Sequence, residues 1–350
     1  MPHVQRVLPP SFPPPSFPAP DPLEAVLRTL GPRERRHVVA LDEAGRLHAT
    51  SPELARAFTA TFVPDGARLA GGGFDLTTLA RYLVPDAFGK LPAGRCESEK
   101  SGPYRRVYSN PGFAFMSARV YLPGEDAGEL RENKAAGHGD TAFVYVGGWG
   151  GRGGAVDAGF QHGRASKDRV DDWAPFFLVQ QAGGKSVITV SSEKQAGGAA
   201  WRLAAGTEAF LKFWVTREDG VTRLNLYVEG TTSQDGVPGS LTLSAPVDDT
   251  FGWDPSGGRN ILKRMTTIGQ TFGKENLTSG SFLTGVRWSE GRIGRTEADA
   301  HPWAAADTGG YCSFPDPKSP EGQRADGSGK PKWTVSFVSA AEETDGVTLT

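Results

Sequence analysis

"YVGGWGGRGGAVDAGFQHG", residues 145–163, places seven glycines in its first fifteen positions. Gly148, Gly150 and Gly153 fall at the G-x-G-x-x-G spacing, directly after the apolar run "TAFVYV". A phosphate loop of that spacing needs a helix right after its glycines, because the helix N-terminus supplies the amides and the dipole that hold the anion. Here the glycines lead into "AVDAGFQHG", where Val156, Ala158 and Phe160 alternate with Asp157, Gly159 and Gln161. A period of two is a strand. No Gly-Lys-Ser/Thr follows. The stretch predicts strand, glycine turn, strand, and argues against nucleotide binding.

The same pattern extends outward. From about residue 96, apolar or alternating runs recur between Gly, Pro, Asp and Ser: "RVYSN", "FAFMSARVYL", "APFFLVQ", "KSVITVSS", "AAWRLAA", "AFLKFWVTRE", "TRLNLYVEG", "GSLTLSAPV", "RMTTIGQTF", "SFLTGVRWS" and "KWTVSFVSA". Short strands with turn residues between them predict a sandwich or barrel, with no helix longer than about three turns. All eight Trp lie between Trp149 and Trp333, so the main core belongs to this half.

The first part of the chain differs. Residues 1–22 hold nine prolines, and "PPSFP" occurs twice in tandem. Proline fixes φ and lacks a donor, so a polyproline-II or disordered tail is expected, acting as a stiff spacer or a docking segment. Residues 23–95 read as a small α/β region. "DPLEAVLRTLG" and "SPELARAFTATF" each open with a capping residue and a proline, as helices do. "HVVALDEAGRLHATS" reads as a hairpin, and "DLTTLARYLV" as a third helix. The expected division is thus 1–22, 23–95 and 96–350.

Bulk properties exclude some functions. Lys plus Arg number 38 and Asp plus Glu 40, giving a net charge of −2 and no whole-chain field for a polyanion such as nucleic acid. No run reaches the ~18–20 apolar residues of a membrane helix. The N-terminus has no apolar h-region, so the residues themselves name no compartment. Of the two cysteines, Cys96 and Cys312, free thiols are the plain expectation. If the protein is exported they should pair, closing a loop worth about 5 kcal/mol in the chain-entropy model.

The long hairpin "AFLKFWVTREDGVTRLNLYVEG", then "RMTTIGQTF", "SFLTGVRWSEGRIG" and "KWTVSFV", taken in this order, resemble the concanavalin A-like jelly-roll sandwiches. "VDAGFQHG" followed by "DDWAPFF" is similar to secreted bacterial sandwich proteins of unknown activity. The resemblance covers roughly residues 100–345. It implies a mainly β fold, an antiparallel jelly-roll β-sandwich behind the small α/β region and the Pro-rich tail. It also implies a glycan-binding face and an extracellular or cell-surface setting.

The chemistry of the superfamily's hydrolases is harder to place. Retaining glycosidases need two carboxylates about 5–5.5 Å apart. The family's E-x-D-x-x-E and E-x-D-x-E patterns are absent, and Asp157, Glu218, Glu229 and Glu290 stand apart in sequence. There is no G-x-S-x-G for a serine hydrolase. Among the six histidines, His162 and His301 lie near strand ends of the aromatic half, where surface hydrogen bonding is the ordinary role. "KDRVDDW" (Asp168, Asp171, Asp172) and "PVDDTFGWD" (Asp248, Asp249, Asp254) offer Ca2+ a site only as the alternative to solvated loop acids, since neither has EF-hand spacing. Asn276 opens an N-x-[ST] sequon, a surface-loop signal.

The expectation is therefore a non-catalytic protein that binds carbohydrate or a surface polymer, with no catalytic or metal residues assigned. Asp157 and Gln161 share a polar strand face, Trp149 and Trp173 flank it in chain order, and Arg287 in "TGVRWSE" lies opposite Val286 and Trp288. These five are the candidate ligand contacts. Two alternatives remain: an assembly protein displaying a sandwich head, self-associating or docking through the tail, and a glycoside hydrolase-like enzyme with an atypical site.

Overall fold

The computed structural model describes residues 21–64, 96–133, 137–162, 170–190, 198–323 and 332–349. The Pro-rich segment up to residue 20, the expected third helix at 75–84, Asp168 and the tip of the loop before the last hairpin lie outside the described residues.

Two short helices open the described chain. In α1 (Pro22–Arg28) the Asp21 carboxylate accepts from Leu23 N; in α2 (Pro52–Ala57) Ser51 Oγ accepts from Leu54 N. The expected second helix ends at Ala57, not in "FTATF". From Phe58 the chain alternates large and β-branched residues, and strand pairing outweighs the helix start. Between the helices lie β1 (Val38–Leu41) and β2 (Leu47–Ala49), the expected hairpin.

The remaining strands are β3 (Phe58–Pro64), β4 (Tyr104–Ser109), β5 (Phe115–Leu122), β6 (Leu130–Arg131), β7 (Thr141–Trp149), β8 (Ala155–His162), β9 (Asp172–Gln181), β10 (Gly184–Val190) and β11 (Leu203–Ala204). After them come β12 (Thr207–Glu218), β13 (Val221–Thr231), β14 (Pro238–Pro246), β15 (Ile261–Gly269), β16 (Phe282–Gly294), β17 (His301–Pro302), β18 (Thr308–Phe314), β19 (Trp333–Ser339) and β20 (Glu342–Thr348). Past residue 96, helical elements among the described residues are single three-residue turns. One of them, Ala199–Trp201, replaces part of the strand expected at "AAWRLAA".

The strands form two sheets. The first runs β19-β20-β16-β5-β12-β13-β14-β1-β2, with β6 and β17 beside β16. The second runs β18-β4-β15-β7-β8-β9-β10-β3, with β11 beside β9. Pairing is antiparallel throughout the described strands except for β1 beside β14. Strands from residues 38–64 thus complete both sheets: β1 binds β14 and β3 binds β10 along seven residue pairs. The sheets pack face to face over one buried core that includes Val144, Phe160, Trp173, Phe177, Leu211, Phe213, Leu226 and Trp288. Cys96 and Cys312 are joined by a disulfide and lie in a smaller cluster on the outer face of the second sheet, with Tyr104, Phe143, Tyr145 and Phe176.

Candidate functional site

The glycine-rich stretch is a β7–β8 hairpin whose register sets Gly147 opposite Asp157 and Tyr145 opposite Gly159. On its other edge Gly147 faces Lys263 of β15. Gly147 adopts φ +151°, and a Cβ there would lie 2.1 Å from the Val156 carbonyl oxygen. With no side chain between them, Lys263 reaches across β7, and its Nζ lies 2.9 Å from Asp157 Oδ1. The Trp149 ring lies over the same ammonium at 4.3 Å, a cation–π contact. Gly159 acts alike: a Cβ would come 2.7 Å from Tyr145 Cβ, so the bare backbone lets Tyr145 cross β8 and meet Phe176 edge-on at 5.9 Å.

Asp157, Gln161 and Trp149 therefore do share the outer face of the second sheet. Asp157 is only 2% exposed, and Trp149 is also buried, whereas Gln161 is half-buried. Trp173 is a correction. It pairs with His162 rather than Gln161, so its ring faces the intersheet core, fully buried, and its Nε1 donates to the Pro123 carbonyl. Arg287 lies on the other sheet. It is exposed, forms a 3.1 Å ion pair with Glu208 and covers Tyr121 at 5.2 Å. The structure does not bring the five together.

The polar centres that sequence reasoning missed are interior. His162 is enclosed between Glu132 Oε2 at 3.3 Å and Asp171 Oδ1 at 2.8 Å, which corrects its expected surface role. Burial works against the charged ring, yet the two carboxylates outweigh it and raise its pKa to about 9. Between the sheets, Glu343 of β20 accepts from Arg105 (2.6 Å) and Arg264 (3.1 Å), while Asp345 accepts from Thr266 Oγ1 at 2.7 Å. Burial opposes the charge on Glu343, but Arg264 and Arg105 hold its pKa down at about 2. Burial and then the Glu343 charge push Asp345 well above the usual carboxylate range. The two loops of acids are committed to the fold. Asp172 binds Arg202 and Ser233, Asp248 caps Thr250, Asp249 takes Arg217, and Asp254 caps Ser256. Among the described residues no three His, Cys, Asp or Glu gather as a metal site.

Open concave surface lies at the margin of the two sheets. A cleft of about 370 Å³ is lined from the second sheet by Ala60, Phe62, Gln181 and Ser186, and from the first by the β1–β2 turn, Pro246 and Asp248. Phe62 on β3 is 51% exposed there. Asp42 beside it is buried; burial opposes its charge, but the Arg46 amide, His48 and the Arg46 guanidinium outweigh it and hold the carboxyl well below the usual range. Hydrogen bonds from Thr250 depress Asp248 too. The cleft therefore offers an apolar ring beside the exposed Asp248 carboxylate, while the Asp42 oxygens are taken up by the β1–β2 turn.

No family model and no curated protein matches the chain. Among solved structures, the chain is similar to a glycoside hydrolase family 16 endo-glucanase from Bacteroides ovatus. That likeness has 11% identity and a TM-score of 0.24, and spans 62% of this chain and 84% of that one. No residue role is carried over from it.

Proposed function

We propose that the chain is a carbohydrate-binding β-sandwich of the jelly-roll kind, not a hydrolase, and that it holds a polyhydroxylated polymer in the cleft at Phe62. The observation that carries this is an exposed aromatic ring in a concave site beside Gln181, Ser186 and Asp248. Sugars present C–H faces to rings and hydroxyls to fixed acceptors, and ligand sites are concave with a few placed polar groups. Each hydrogen bond nets only ~0.5–1.5 kcal/mol, so dissociation constants of roughly micromolar to millimolar are expected.

Binding is favoured over hydrolysis because a glycosidase needs one carboxyl that stays protonated near neutral pH. In this cleft Asp42 and Asp248 shift the other way. The carboxylate pair whose pKa values are driven apart, Glu343 and Asp345, is about 1% exposed between the sheets, with Glu343 bound to Arg105 and Arg264 and Asp345 to Thr266. The Cys96–Cys312 disulfide supports an oxidising compartment such as the cell exterior.

The test is a glycan array on the full chain, followed by chromatography of each bound oligosaccharide after prolonged incubation. Bound glycan recovered intact supports the proposal. Shortened products would replace it with the enzyme reading, and an array without any binding would reject both.

A further inference from the structure

Asp248 lines the Phe62 cleft, and the next residue, Asp249, lines a second and larger cavity of about 640 Å³. Consecutive residues just past β14 thus line the two concavities. The second is walled by the turn of the β7–β8 hairpin (Gly151, Arg152), by Arg217 of β12 and by the 252–259 loop.

Its charge is uneven. Arg217 is paired with Asp249 at 3.1 Å, and the Asp254 carboxylate is taken up by Ser256 N and Oγ, each at 2.7 Å. Arg152 and Arg259 are exposed and have no carboxylate partner among the described residues. Trp253 also lines the cavity; it is 4% exposed, and its Nε1–H has no acceptor. A buried donor without an acceptor is costly, and a ligand oxygen reaching the cavity wall would satisfy it.

The glycines build the cavity. Gly151 N donates to Gly252 O at 2.9 Å and Arg152 N to Phe251 O at 3.1 Å, so the turn is stitched to the loop facing it. A Cβ on Gly151 would meet Arg259 Cβ at 2.7 Å, and one on Gly252 would meet Arg152 Cγ at 2.9 Å. Each arginine stem thus lies on bare backbone of the opposite segment, which keeps both guanidinium groups at one cavity.

We propose that this cavity is an anion subsite neighbouring the Phe62 cleft. Arg152 and Arg259 receive the carboxylate or sulfate groups of an acidic glycan whose neighbouring sugar stacks on Phe62. This rests on the glycan reading above and narrows it from sugars in general to acidic ones. Guanidinium forks match carboxylate and sulfate geometry, and charge-assisted hydrogen bonds are about twice as strong as neutral ones.

The experiment is calorimetry on the full chain against three oligosaccharides of matched length, one neutral, one uronate-bearing and one sulfated, and against sodium sulfate alone. The Arg152→Ala/Arg259→Ala double variant and Phe62→Ala are titrated in parallel. The acidic sugars should bind at least about tenfold tighter than the neutral one. The preference should shrink between about 0.05 and 0.5 M salt. The double variant should abolish it while leaving neutral-sugar affinity within about twofold, which also shows that the variant is folded. Equal affinity for neutral and acidic sugars, or a preference that survives the double variant, overturns the subsite and leaves the glycan reading standing. Arginine-dependent sulfate binding with no sugar bound would keep the anion site and overturn the glycan reading. No binding of sugar or sulfate overturns both.

Discussion

Lys263 Nζ sits 2.9 Å from Asp157 Oδ1 across the glycine at 147, so an ion pair bridges two strands that are not neighbours, β15 and β8. Both partners are about 5% exposed or less. Removing one member of a buried pair costs about 3–5 kcal/mol, because the remaining charge loses its counter-charge. Asp157→Asn should therefore lower urea stability by about 3 kcal/mol. Gly147→Ala should do comparable damage, since its Cβ would strike the Val156 carbonyl and its φ is unfavourable for alanine. Midpoints within experimental error of wild type for both variants would show that this bridge does not support the sheet.

This pair also marks how far the sequence could be read. The hairpin, the mainly β class and the face shared by Asp157 and Gln161 follow from period-two alternation, while the choice of two sheets over a barrel rests on the resemblance to jelly-roll sandwiches. Lys263 does not, because it comes from a strand about a hundred residues later and only register brings it beside Gly147. Chain order alone puts Trp173 beside the Asp157 face, but the β8–β9 register sets it against His162 on the inner face. β20, "EETDGVT", does not look like a buried strand, since Glu343 and Asp345 occupy inward positions. Arg105 and Arg264 on the facing sheet neutralise what apolar residues would otherwise fill. Phe62 falls at the end of the expected helix "SPELARAFTATF"; the alternation in "FTATFVP" is the signal for a strand.

Burial and the Glu343 charge push the Asp345 carboxyl towards its protonated form, so the two should respond oppositely to amide substitution. Asp345→Asn keeps a neutral donor and acceptor in place and should leave stability at pH 7 unchanged or raised. Glu343→Gln strips the counter-charge from Arg105 and Arg264 and should cost about 3–5 kcal/mol. Chemical denaturation of both variants checks this, and equal losses would contradict the assigned protonation states.

His162 gives the fold a pH dependence. Its folded pKa, about 9, lies above the ordinary 6.5. The folded state holds a proton that the unfolded chain releases, so this contribution is complete below about 6.5 and is lost as pH rises through about 9. Melting temperature should fall across that window, and His162→Gln should flatten the slope. A wild-type profile that is level or rising from 6.5 to 9 would contradict the charged, doubly paired ring.

The Cys96–Cys312 bridge joins the start of the post-95 strands to β18 with a separation of 216 residues. Closing a loop of that length is worth about 5 kcal/mol in the chain-entropy model. Protein isolated from an oxidising compartment should show no titratable thiol under denaturing, non-reducing conditions. The Cys96→Ser/Cys312→Ser double variant should melt well below it. Two free thiols would reject the bridge in the native protein.

The central claim is that a sugar ring stacks on Phe62 in the marginal cleft. Its most direct test is calorimetric titration of wild type, Phe62→Ala and Gln161→Ala with the tightest-binding glycan. Phe62 is half exposed and supports little of the core, so its variant should fold and yet lose at least about tenfold in affinity. Gln161→Ala, on the outer face around Asp157, should bind as wild type does. Full affinity in Phe62→Ala, with loss in Gln161→Ala, would contradict the claim and move the site to the outer face of the second sheet.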